Sequence, residues 1–225
     1  MSSRKNWERS LRKDFIAQKA NELFARTSYD ATTVEDIARH AEFGKGTIYQ
    51  YFTSKLEILG YLLEKSTAEL SRELESIVQS YPHPAGEKII AALEKVIQAY
   101  YSYMERDAHL LNALKNQPGT PEKTRIIRTV HQQHAAILRL WLPLVEKGVK
   151  EGRLVKAEPM DLALAIINVV RGFSLRRFFS PANGNTGETS KALSEENPPG
   201  NEKEKDLAML RHIIFHGILE NKAES

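Results

Sequence analysis

The chain of 225 residues is long enough to bury a sizeable core, and its 32 Lys+Arg against 29 Asp+Glu leave a net charge of only +3. Any affinity for nucleic acid must therefore come from a local patch rather than from the surface as a whole. With no cysteine there is no disulfide framework, thiolate metal site or cysteine nucleophile, and with no apolar run near the roughly 18 residues of a bilayer span and no apolar signal core in MSSRKNWERSLRKDF, the sequence reads as soluble and cytoplasmic with no membrane partner.

Apolar residues recur three and four apart almost throughout, and no run alternates like a strand between hairpin turns, so the fold class is all-α. The first helix is predicted over residues 7–27, with Leu11, Phe15, Ala20, Leu23 and Phe24 on one stripe. Thr33 starts the second, where TVED places Asp36 as the partner in a variant capping box and Val34, Ile37, Ala38 and Ala41 follow at helical spacing. After AEFG a short third helix covers residues 45–51. Ser54 then caps a fourth, with Glu57 at the reciprocal position of SKLE, and YPHPAG stops it near residue 79. Further helices are predicted over 87–105, 108–115, 121–151, 159–179 and 204–221, with a kink at Pro143. The stretch near 181–203 is rich in Gly, Pro, Asn, Ser and charge; it cannot bury enough apolar surface to order itself and is predicted to be a mobile loop.

Two short helices joined by a tight turn form a helix-turn-helix, whose second helix enters the major groove of DNA. In this sequence Val34, Ile37, Ala38, Ala41, Phe43 and Ile48 can face inward, leaving Lys45, Thr47, Gln50 and Tyr51 exposed. Gly44 and Gly46 allow close approach of the backbone to a phosphate, and free N–H groups at a helix N-terminus favour anions. GKGTIYQYF would also suit an aromatic-rich helix packed on the core; the caps at Thr33 and Ser54 and the preceding amphipathic helix favour the DNA reader.

The segment FIAQKANELFARTSYDATTVEDIARHAEFGKGTIYQYFTSKLEIL, above all ATTVEDIA followed by GKGTIYQYFTSK, resembles the N-terminal DNA-binding domain of the TetR family of bacterial transcriptional regulators. The resemblance implies a three-helix DNA-binding domain over 1–54 and a helical ligand-binding and dimerisation domain over 55–225. It places Lys45, Gly46 and Thr47 at base edges or the adjacent backbone, and Thr33, Tyr49, Tyr51 and Lys55 at phosphates. Two positions depart from the family pattern: Glu42 stands where many members have Gly, and Gly44, a tolerable cap, stands where many have Ser or Thr. Gln50 can read adenine or touch a phosphate. Arg4, Lys5, Arg9, Arg12 and Lys13, ahead of and within the first turns, either add salt-sensitive phosphate contacts or form a solvated helix start.

One short recognition helix covers only a half-site, so a two-fold homodimer on a palindromic double-stranded operator is expected. Ile166, Ile167, Val170 and Phe173 in one helix and Leu207, Leu210, Ile214, Gly217 and Ile218 in the last would build a four-helix interface; the same stripes could seal a monomer core, and the resemblance favours the interface. Tyr100, Tyr101, Tyr103, Met104 and His109, with Trp141 and Phe173, combine apolar bulk with hydrogen-bonding tips and are the candidates for binding an unknown hydrophobic or aromatic effector. They also suit plain core packing. The pairs His131/His134 and His212/His216 have chelating spacing but no accompanying Glu of a metalloprotease motif. No nucleotide-binding loop or nucleophile elbow occurs, so no metal, cofactor or enzymatic activity is expected. The alternative reading is a helical protein-interaction or lipid-binding module that never touches DNA.

Overall fold

The computed structural model describes the backbone of residues 2–179 and 199–218, and side chains over 4–173 and 204–214. Among the described residues every regular element is helical: α1 (Ser2–Thr27), α2 (Val34–His40), α3 (Lys45–Tyr49), α4 (Lys55–Gln79), α5 (Glu87–Arg106), α6 (Ala108–Asn116), α7 (Pro121–Lys150), α8 (Pro159–Phe179) and α9 (Pro199–Ile218). No helix among them is long and apolar enough to cross a membrane.

Two helix starts and one cap differ from the sequence expectation. α1 begins at Ser2 rather than at residue 7, because nothing in SSRKN breaks a helix and Arg4 pairs with Glu8 one turn on at 3.0 Å. α9 begins at Pro199 rather than at residue 204, where the fixed φ of proline suits a first helical position. Residues 199–203 of the expected loop are thus helical, while 180–198 lie outside the described residues, as do 219–225. At the start of α4, the Glu57 N–H bonds the Ser54 hydroxyl at 2.9 Å as expected. Its carboxylate, however, accepts from the Thr53 N–H and hydroxyl at 2.6 and 2.7 Å, so the reciprocal half of the box closes one residue early. The Ser54 hydroxyl is free to donate to Glu122 of α7 at 2.9 Å. α7 continues through Pro143.

The chain divides into two compact units, Met1–Glu69 with Arg106–Ala135, and Leu70–Glu105 with Ala136–Ser225. The first unit reaches beyond residue 54: the first turns of α4, α6 and the start of α7 belong with the three N-terminal helices. Its core joins Ile16, Ala20 and Phe24 of α1, Ile37 of α2, Ile48 of α3, Ile58, Leu59 and Leu63 of α4, Leu110 of α6 and Ile126 of α7, all nearly inaccessible to solvent. The buried residues of the second unit include Leu74, Ile89, Leu93, Val96, Tyr101, Trp141, Val145, Ile166 and Leu210.

Candidate nucleic-acid interface

Local chemistry specifies the entry to α2. Thr33 is its N-cap in extended conformation, and its hydroxyl oxygen accepts the Asp36 N–H at 3.1 Å. The Asp36 carboxylate returns to the Thr33 N–H at 3.0 Å and hydroxyl at 2.6 Å, so both halves of the capping box are closed. Those hydrogen bonds from Thr33, with Arg39 adding to them, hold the Asp36 carboxyl below its ordinary value. His40, in the last turn of α2, meets Glu22 of α1 at 2.8 Å, and Phe15 of α1 packs edge-on to Phe43 at 6.0 Å. These contacts fix α2 and the turn against α1.

The turn itself is a Schellman motif. The Phe43 N–H bonds the Ala38 carbonyl at 2.9 Å and the Glu42 N–H bonds the Arg39 carbonyl at 3.2 Å. The motif demands a left-handed residue, and Glu42 supplies it with φ 58°. A non-glycine does occupy the position, at a strain cost of about 1–2 kcal/mol.

α3 then starts at Gly44, an extended N-cap with no side chain to offer. Ile48 points into the core, 1% exposed. Gly44, Lys45, Gly46, Tyr49 and Gln50 are exposed and Thr47 is half-exposed. A Cβ built on Gly46 would meet nothing within 4 Å, so packing within the protein does not require glycine there. Lys45 pairs with Glu35 of α2, which raises the lysine pKa and lowers that of the carboxylate. The sequence gives no hint of this pair, because Glu35 and Lys45 lie on different helices and meet only through the turn.

Two expected phosphate contacts are placed differently. Tyr51 is half-buried, packs against the core of the first unit and lies under the Arg9 guanidinium, 5.6 Å from its ring centre. The Lys55 ammonium turns inward and donates to the Tyr29 and Thr32 carbonyls at 2.7 Å each, above the Tyr29 ring. Burial lowers its pKa against the opposing pull of Asp30. Lys55 thus holds the α1–α2 connection, adding a charged donor to the Tyr29 carbonyl, which also accepts the Thr32 N–H at 3.2 Å, and satisfying that of Thr32. Arg9 of α1 donates to the Gln50 carbonyl at 3.1 Å and so closes the end of α3.

The expected effector residues fall in different units. His109 belongs to the first, where its Nε2 pairs with Asn21 Oδ1 at 2.8 Å and burial pushes its pKa below 6.5. Tyr100, Tyr101, Tyr103, Met104 and Trp141 are buried in the second unit, and Phe173 is half-buried there. The Tyr101 hydroxyl donates to the buried Asp206 of α9 at 2.8 Å. The Trp141 indole N–H has no acceptor among the described residues. An open cleft of about 320 Å³ in this unit is lined instead by Glu94, Ile97, Gln98, Glu204, Leu207, Ala208 and Arg211.

The expected dimer residues Ile166, Val170, Leu210 and Ile214 are 0–3% exposed in the single chain. They are buried within the single chain, where α8 and α9 pack together. The apolar side chains left outside are Leu164, Met209 and Ile213, 40–51% exposed. Gly217 and Ile218 lie in α9, but their side chains are outside the described residues.

Residues 16–62 match the model of the bacterial regulatory proteins, tetR family. An uncharacterized HTH-type transcriptional regulator of Bacillus subtilis, YhgD, is 26% identical over 160 residues, 70% of this chain and 80% of its own. The HTH-type transcriptional repressor KstR2 of Rhodococcus jostii is 23% identical over 181 residues, 80% of this chain and 86% of its own. A TetR/AcrR-family regulator from Thermobifida fusca shares the fold with a TM-score of 0.67 at 18% identity, covering 95% of this chain and 99% of that one.

Proposed function

Because the chain belongs to the TetR family of bacterial regulatory proteins, whose members are transcription regulators and not enzymes, we propose that it is a cytoplasmic, ligand-responsive repressor that binds a palindromic operator as a homodimer. The observation that carries the reading is the exposed face of α3: Lys45, Gly46, Thr47 and Tyr49 stand at the rim of a capped, closely packed helix-turn-helix. Lys45 and Thr47 supply donors to base edges or phosphates, and the bare backbone at Gly46 permits close approach to the duplex. An interaction or lipid module without DNA binding accounts for none of these features.

Repression is supported by the relative named as a repressor. Dimerisation is supported by the outward apolar side chains Leu164 of α8 and Met209 and Ile213 of α9, which gain about 25 cal/mol for each Å² removed from water. A small hydrophobic or aromatic effector is supported by the aromatic interior of the second unit and by the indole N–H of Trp141, to which a ligand oxygen could supply the missing acceptor. Linkage sets the energetic demand: an effector that weakens operator binding tenfold must bind the DNA-free form about 1.4 kcal/mol more tightly than the DNA-bound form.

Selection of bound sequences from a random duplex pool tests the reading. The expected result is two inverted half-sites whose centres lie about one helical turn, or a multiple of it, apart. A pool that yields no enrichment at low salt would refute it.

A further inference from the structure

The start of α1 carries a strong local excess of positive charge. Residues 2–13 hold Arg4, Lys5, Arg9, Arg12 and Lys13 against the single acid Glu8, in a chain whose net charge is only +3. Three of the five are engaged internally: Arg4 pairs with Glu8, Arg9 donates to the Gln50 carbonyl, and Lys13 sits over the Phe52 and Tyr61 rings at 4.8 and 4.6 Å with Glu57 at 4.0 Å. Lys5 and Arg12 are exposed and have no ion pair among the described residues. Because α1 is helical from Ser2, Lys5, Arg9 and Arg12 stand at i, i+4 and i+7, within an arc of about 60° and about 10.5 Å along the axis. Arg9 shows where that face lies, since its guanidinium closes the C-terminal end of α3 at the Gln50 carbonyl. The cationic row is therefore continuous with the recognition helix.

We propose that the first turns of α1 form a phosphate clamp that grips the DNA backbone flanking the base pairs read by α3, with Lys5 and Arg12 as the contacting cations and Arg9 as the positioning residue between them. The proposal rests on the DNA-binding reading. A strand carries one phosphate per 3.4 Å of axial rise, so a row of about 10.5 Å matches some three successive phosphates. Such contacts carry no sequence information; they lengthen the footprint and strengthen binding to any duplex.

The test measures affinity of the full chain for a mixed-sequence 40-base-pair duplex between 50 and 200 mM KCl. Each phosphate contact contributes about 0.9 to the slope of log K against log[salt]. The double variant Lys5→Gln/Arg12→Gln is expected to lower the slope by about 1.8, so that its deficit against the parent shrinks about twelvefold across that fourfold salt range. The charge-keeping variant Lys5→Arg/Arg12→Lys should hold the parental slope, as should Lys150→Gln/Lys156→Gln, which removes two exposed cations of the second unit. An unchanged slope in the first variant overturns the clamp while the parent still binds, and so does an equal fall in the second-unit control. A parent that binds no duplex at any salt refutes the DNA-binding reading and the clamp with it.

Discussion

At Gly60 the backbone of α4 faces Ile126 of α7, and Gly60→Ala tests how tightly that contact is packed. A Cβ at this position would lie 2.8 Å from both Cδ1 and Cγ1 of Ile126, at least 0.6 Å inside the 3.4 Å at which ordinary contact begins. Ile126 is 2% exposed and β-branched on a helix, so one χ1 rotamer is strongly preferred and its Cγ1 cannot swing away. Overpacking of this kind costs about 1–3 kcal/mol, while alanine regains about 0.8–1.0 kcal/mol of helix propensity. The net expectation is a loss of about 0–2 kcal/mol, and at about 2–4 °C per kcal/mol for a chain of this size, thermal unfolding at fixed protein concentration should show a Tm lower by a few degrees. Ile126→Ala alone should cost about 2–5 kcal/mol. Combining the two should cost less than the sum, because the new methyl enters the vacated space. If Gly60→Ala raises Tm and the double variant is additive, the close contact of α4 and α7 is not as described.

Lys45→Ala should flatten the salt dependence of DNA binding by about one phosphate's share, a slope change of about 0.9; unaltered affinity at every salt concentration would remove Lys45 from the interface. Ile213→Glu should give a folded monomer by light scattering and circular dichroism, because Ile213 is 40% exposed, whereas Ile214→Asp should unfold the chain, because Ile214 is 2% exposed and an unpaired carboxylate there has no solvent. A folded Ile214→Asp protein, or an Ile213→Glu dimer, would reverse the assignment of the two faces. His109 has its pKa lowered by burial, against the opposing influence of Asp107. The folded state therefore binds its proton less readily than the unfolded state, and stability is full above about 6.5 and lost as pH falls toward the depressed folded value. Tm should drop more between pH 7 and pH 5 for the parent than for His109→Gln, and equal drops would dismiss His109 as the titrating group.

Much of the reader was legible in the chain itself. Thr33 with Asp36 announces a helix start because a capping box is closed by residues three apart, and Ser54 announces another by accepting the Glu57 N–H, although the Glu57 carboxylate closes on Thr53. The inward set Ile37, Ala38 and Ile48 follows from helical period for the same reason. The two departures from the family pattern are both accommodated: Glu42 takes the left-handed turn position against the preference of a residue with a Cβ, and Gly44 caps without a side-chain bond.

Periodicity groups residues onto a face, but it does not name what covers that face. On α9 it offers Leu210 and Ile214 one way and Met209 and Ile213 another, and only the packing of α8 against α9 decides that the first pair seals the monomer. Long cations carry the same ambiguity. Lys55 could reach outward to a phosphate, yet it turns in to donate to the Tyr29 and Thr32 carbonyls, which the fold brings near. Short-range hydrogen bonding and side-chain period, both set within a few residues, were therefore determined by the sequence alone. The partners of each apolar face and each long charged side chain were decided by the tertiary structure, because they depend on groups far away in the chain that only folding brings within a few ångströms.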